Sequence, residues 1–240
     1  MRFFFGKALP IFVAAVAVAV FGAYSGYVAS ELLPALPRAG SPNDPDQANS
    51  TPPQLGIIRK APIPNDKPAL NPKHLDYRPV DFKLRTKPNP SVEVALSVPR
   101  GWTFRAYPKE PQQIRYLDPT LERGLRIESG FTPLRRPNEL MDSHIAELVS
   151  SQPPENDLQV KSRSSSTVID DQGNARAVST LVYTYVPSQT LRFVAVRWVA
   201  LDGDKADVEM TVNGLPQDER ALTAILDVAS RTVTRSPLPN

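Results

Sequence analysis

Only two histidines occur, His74 and His144, so any imidazole chemistry rests on one of them. A Ser-His-acid hydrolase holds its base beside an exposed serine. His144 has Leu140, Met141 and Leu148 three and four residues away and Glu147 at i+3. No serine sits in a G-x-S-x-G run or a strand–turn–helix elbow. His144 is therefore expected as a boundary histidine on an amphipathic helix. Glu122, Glu128, Glu139 and Glu147 could supply the two carboxylates of a glycoside hydrolase, which must face each other across a cleft. Asp202-Gly203-Asp204-Lys205-Ala206-Asp207 resembles a calcium loop only in its first three residues. Lys205 would repel the ion and Ala206 offers no ligand, so this reads as a hairpin turn. The run Ser162–Thr167 has no glycine to cradle phosphate and reads as an exposed strand or loop. No metal or cofactor is expected.

Three arginines on strand-like segments, Arg126, Arg192 and Arg197, could meet an anionic polymer if they share a face. Trp102, Phe104, Tyr107, Tyr116, Tyr183, Tyr185, Phe193 and Trp198 read mostly as core or cross-strand pairs. A small pocket between sheet and helix is the open alternative. Trp102 and Trp198 join the three arginines as candidate pocket or surface residues.

The elements that must position these groups follow from periodicity. Val92, Val94, Leu96 and Val98 alternate with other residues as a half-buried strand does, and Pro99-Arg100-Gly101-Trp102 ends it. Thr103–Tyr107, Gln113–Leu117 and Gly124–Phe131 read as short strands. Asn138–Ser151 reads as a helix, with Met141, Ile145, Leu148 and Val149 on one face. Four strands follow at 158–169, 175–186, 191–201 and about 208–212, joined by turns at Asp170–Asn174, Pro187–Gln189 and Asp202–Asp204. Loops this short make antiparallel neighbours. Pro216–Thr232 closes the chain as a helix, with Leu222, Ile225, Leu226, Ala229 and Val233 in one stripe. The expected fold class is α+β: an antiparallel β-sheet flanked by helices, an α/β/α-type sandwich.

Composition sets the limits. Of 26 prolines, 13 lie between Glu31 and Pro90. Proline fixes φ and removes a donor, so that stretch reads as a disordered or extended linker at 30–90. Within it Leu55–Pro64 and His74–Leu84 are apolar islands. The first is a candidate docking motif; the second is expected to pack as the first strand or arm of the domain. The net charge is +3, but residues 51–90 hold eight Lys/Arg against three Asp/Glu, and residues 91–240 hold seventeen against nineteen. A nucleic-acid-binding domain carries its basic excess on the folded part, so no nucleic-acid partner is expected. The absence of cysteine excludes disulfides, zinc-thiolate sites and thiol catalysis.

Ala8–Ala29 is 22 residues without a charge, enough for a helix to cross a hydrocarbon core. Arg2 and Lys7 precede it and Glu31 follows. The positive-inside rule puts residues 1–7 in the cytoplasm and the rest outside. A cleaved signal peptide is the alternative, and it implies the same compartment. Gly22, Gly26 and Ser30 are spaced for close helix pairing, a candidate route to a homodimer. The expected organisation is residues 1–7 cytoplasmic, 8–29 transmembrane, 30–90 linker, 91–235 extracytoplasmic domain and 236–240 tail.

Ser97–Phe104 (SVPRGWTF), the strand pair Ala177–Val186 and Leu191–Leu201, and the final Ala221–Thr232 carry a resemblance. Together they resemble the PsbP-like fold and, within it, the LpqN/LpqT group of actinobacterial envelope proteins, over Ser91 to about Thr234. The chain departs from that group in lacking a lipobox cysteine. The resemblance implies a cell-envelope setting and a binding or accessory module, with no catalytic residues. The expected function is a membrane-anchored, non-catalytic envelope module that binds a protein partner. Lipid or glycan binding and an unrecognised hydrolase are the alternatives.

Overall fold

The computed structural model describes residues 58–85, 91–106, 110–130 and 134–238. The chain divides into Met1–Gln54 and Leu55–Asn240. The first unit lies outside the described residues. With it go the expected anchor at 8–29, the pairing residues Gly22, Gly26 and Ser30, and the first part of the linker. Among the described residues no helix is long and apolar enough to cross a membrane.

Two antiparallel sheets and two long helices build the domain. The small sheet has β2 (Val92–Pro99) in the middle, with β1 (Tyr77–Leu84) on one side and β10 (Thr234–Pro237) on the other. The large sheet takes the order β3-β4-β5-β9-β8-β7-β6. Its strands are β3 (Thr103–Ala106), β4 (Gln113–Leu117), β5 (Gly124–Ser129), β6 (Gln159–Ile169), β7 (Ala175–Tyr185), β8 (Arg192–Val199) and β9 (Val208–Gly214). All neighbours are antiparallel. The strands β6 to β9 form the meander expected from their short turns, and β5 joins it by pairing with β9.

Each face of the large sheet has its own core. Helix α1 (Pro137–Ser151) lays Met141 and Leu148 on Leu181, Tyr183, Tyr185, Val194, Val196 and Trp198. Helix α2 (Glu219–Thr232) buries Leu222, Ile225, Leu226 and Ala229 on the opposite face, with Val233 just beyond its end. There they share one core with Val94, Leu96 and Val98 of β2 and with Ile127, Met210 and Val212 of the large sheet. The helices thus flank the sheet as expected, but the second layer is α2 together with a second sheet. The α/β/α description is corrected on that side.

The boundaries are also corrected. The expected linker at 30–90 ends well before 90, because β1 pairs with β2 from Tyr77↔Pro99 to Leu84↔Val92. Upstream, the proline-rich chain is fastened to the domain. Lys60 N donates to Glu155 O at 2.8 Å, Ile63 N to Gln189 O at 2.8 Å, and Leu70 N to Asp218 Oδ1 at 2.7 Å. The expected tail at 236–240 begins inside β10, and Leu238 N donates to Ser91 O at 3.1 Å. Pro79 and Pro237 are tolerated because β1 and β10 are the edge strands of their sheet, where a missing N–H need break no ladder bond.

The turn after β2 has a local cause. Gly101 sits at φ 86°, in the left-handed region that a Cβ disfavours, and Trp102 N donates to Pro99 O at 3.3 Å. The turn delivers Trp102 into the core beneath the small sheet.

Candidate functional site

The densest polar group lies on the α1 side of the large sheet. Strand register aligns it in two rows. Gln113, Glu128, Glu209 and Trp198 stand opposite one another on β4, β5, β9 and β8, and Arg115, Arg126 and Thr211 form the next row. Alternation puts both rows on one face. Helix α1 covers the apolar β7–β8 half of that face, so the polar half runs beyond it.

Like charges directly opposite across strands repel, and Glu128 faces Glu209. Arg126, two residues before Glu128 on β5 and diagonal to Glu209, offsets them. Its guanidinium pairs with Glu209, reaches Glu128 at 3.4 Å and donates to Thr211 Oγ1 at 3.2 Å. Trp198 Nε1 donates to Glu209 Oε2 at 2.9 Å, which fixes the second oxygen. Burial, with the charge of Glu209, pushes the Glu128 carboxyl up to about 7, and Arg126 only partly opposes this. Gln113 Nε2 donates to Glu110, and Glu110 pairs with Arg115 at 3.3 Å.

His144 comes to this group from α1. Its ring meets Trp198 edge-on at 5.3 Å between centroids, so it is the boundary histidine expected from the helix pattern. Burial lowers its pKa, and Glu209 opposes that shift while Arg126 adds to it. Its Nε2 is buried and has no hydrogen-bond partner among the described residues, as is true of Gln113 Oε1. Chemically the arrangement can hold a proton on the Glu128 carboxyl and offer both donors and acceptors at the rim of α1.

The candidate residues do not form one surface. Arg126 is buried in the row just described. Arg192, at the start of β8, donates to the Glu122 carbonyl at 3.1 Å and to its carboxylate at 3.0 Å. Arg197 points to the other face, where it donates to Thr180 Oγ1 at 2.9 Å, Asp227 Oδ1 at 2.8 Å and Ser230 Oγ at 3.1 Å. It braces α2. Trp102 and Trp198 are both buried, on opposite faces. The four candidate carboxylates are likewise spread. Glu122 pairs with Lys67 and Arg192, Glu128 lies in the row, Glu139 accepts from Arg136 N at the start of α1, and Glu147 lies further along that helix. Tyr107 lies outside the described residues.

Two features were missing from the residue-by-residue reading. Glu209 opposite Trp198 could have been counted across the Asp202–Asp204 turn. Glu209 opposite Glu128 could not, because β5 and β9 are distant in sequence. The second feature is a buried cluster at the other end of the sheet. Arg123 donates to both oxygens of Asp218 at 2.7 and 3.0 Å, to Asp118 at 3.2 Å and to Pro68 O at 2.9 Å. Asp218 also accepts from Leu70 N and Leu215 N. This cluster holds the proline-rich arm against the start of α2.

The longest exposed element is β6. It ends the large sheet, its one strand partner among the described residues is β7, and every residue except Val168 is exposed.

No protein-family model and no curated protein matches the chain. Solved structures similar to it include the Ran-binding protein Mog1p of Saccharomyces cerevisiae, at 13% identity and a TM-score of 0.42, covering 66% of this chain and 96% of that one. They also include LpqN of Mycobacterium tuberculosis, described as involved in cell envelope biogenesis, at 18% identity and a TM-score of 0.38, covering 68% of this chain and 92% of that one. LpqN is a member of the group that the sequence resembles.

Proposed function

We propose that this chain is a tethered, non-catalytic domain of the cell envelope that works by binding another protein. One observation carries the reading: β6 offers eleven residues of strand whose outer edge has no partner among the described residues. An extended peptide can add to such an edge, with main-chain hydrogen bonds for affinity and side chains for selection. Helix α2 with the small sheet covers one face of the large sheet and α1 covers part of the other, and Arg123, Arg192 and Arg197 are each engaged in ion pairs that hold elements together. The apolar run at 8–29 and the basic residues before it support a membrane tether with the domain outside.

Crosslinking in living cells tests this with two chains, the full sequence and an exported form beginning at Ile58. Recovery of the same protein by both supports recognition by the folded domain. Recovery of none contradicts the proposal, and recovery by the full sequence alone moves recognition to residues 1–57.

A second reading, a glycan or other small polar ligand, is favoured by Gln113 Oε1 and His144 Nε2, buried without partners beside the Glu128–Glu209 row. Native mass spectrometry of the protein isolated from its own cells tests it. A retained ligand lost in Gln113→Leu supports that reading, and a bare mass removes it.

A further inference from the structure

An open strand edge accepts any strand in principle, so its side chains decide which one. We propose that the β6 edge receives an extended acidic segment of a partner protein, lying along Ser162–Ile169 with carboxylates at the Lys161–Arg163 end. This rests on the protein-binding reading and names the partner's chemistry.

Three observations carry it. The first is charge. β6 carries Lys161 and Arg163 and no acidic residue. Arg163 pairs with Asp142, but both side chains are about half exposed, and exposed pairs of this kind exchange partners at little cost. Among the described residues no carboxylate pairs with Lys161.

The second is shape. The register with β7 shifts between Val160 and Ser162, leaving Lys161 as an extra residue, while Ser162 to Ile169 pair without interruption. A bulge and lysines at an edge are devices that blunt indiscriminate pairing. They leave eight regular residues, most of them serine, threonine or β-branched, beside a basic end.

The third is the packing of Arg59 and Lys60 beside the strand. Arg59 pairs with Asp157 at 3.0 Å, and Lys60 N donates to Glu155 O, just ahead of the first residue of β6. Arg59 thus offsets Asp157, and Lys60 Nζ, which donates to Asn156 Oδ1 and to the Pro187 carbonyl, sets a further cation just ahead of this strand.

A second copy of the chain is the competing occupant. Antiparallel pairing of β6 with itself would set one Lys161–Arg163 pair at each end of the two strands, and β6 offers neither of them a carboxylate. That mismatch disfavours self-pairing and favours an acidic partner.

The test uses the full chain in detergent with three fluorescent ten-residue peptides, alternating Thr-Glu, Thr-Lys and Thr-Gln. Hydrogen exchange of the β6 amides is read alongside anisotropy. The expected result is that Thr-Glu binds at least ten-fold tighter than either other peptide, protects Ser162–Ile169 amides and weakens several-fold as salt rises. The double variant Lys161→Glu, Arg163→Glu should reverse the preference toward Thr-Lys while its melting temperature stays unchanged. Equal binding of all three peptides, an unreversed preference in the variant, or protection elsewhere overturns the acidic-partner proposal. A full-chain dimer lost on Ser164→Pro also overturns it, in favour of self-pairing. If cell crosslinking recovers a partner through β6 and the charge reversal leaves that recovery intact, protein binding stands and only the partner's chemistry is wrong.

Discussion

Arg123 and Asp218 face each other in a doubly hydrogen-bonded ion pair, with Nε and Nη2 on the two carboxylate oxygens at 2.7 and 3.0 Å, and Asp218 is wholly buried. The pair joins three things that are far apart in sequence: the β4–β5 loop, the start of α2 and the arm at Pro68–Leu70. Two planar groups matched in this way are stronger than point contacts, and their burial makes them costly to separate.

Arg123→Ala leaves a buried carboxylate without its counter-charge. The expected loss is about 3–5 kcal/mol of stability, read as a lower denaturant midpoint at unchanged slope. Asp218→Ala should cost a similar amount. Because the residues act as one unit, the double variant should lose clearly less than the sum.

The domain boundary is testable by truncation. A chain beginning at Ile58 keeps β1 and the arm, and should melt cooperatively. A chain beginning at Ser91 loses Phe82 and Leu84 from the core, the hydrogen bonds of β1 and the partners of Asp218 and Arg123 along the arm. It should show no cooperative melting by circular dichroism. Equal melting of the two would return the boundary to 91.

The Glu128–Glu209 opposition predicts a pH signature. Glu128 takes up its proton near pH 7 in the folded protein instead of near 4.5. Between those values the folded state holds more protons than the unfolded one, so stability falls as pH rises from about 4.5 to about 7 and then levels. The effect is on the order of 3 kcal/mol across the window. His144 has the opposite sign. Its pKa is lowered from 6.5, so its contribution rises with pH just below 6.5. The fall should therefore be least masked between 6.5 and 7. Denaturant midpoints across this range should show the fall in the parent and lose it in Glu128→Gln. A slope unchanged in the variant would assign it elsewhere.

Most strands and both helices were legible because their signals are local. The stripe Leu222, Ile225, Leu226, Ala229 belongs to α2 as expected, and Gln113–Leu117 was bounded by turn residues. The strand β1 was expected from the apolar island His74–Leu84, although the proline density around it put the linker boundary at 90; β10 was not expected, and Pro79 and Pro237 both occupy edge strands that tolerate them. The candidate site was less legible. Alternation shows which residues of one strand share a face, but not which face each strand turns inward. Arg126 and Arg197 could therefore be paired on paper and lie on opposite sides in the fold. The Glu128–Glu209 contact depends on a pairing between strands about eighty residues apart, which no local pattern reports.

Site-specific crosslinking tests the central claim most directly. A photoreactive residue is placed at Ser164 on β6, or at exposed Lys205 in the β8–β9 turn, in the full chain in its own cells. Protein binding at the β6 edge predicts one discrete crosslinked partner from position 164 and none from 205, with the product lost when Ser166→Pro is added to break the edge. No product from 164, or the same products from both positions, would contradict it.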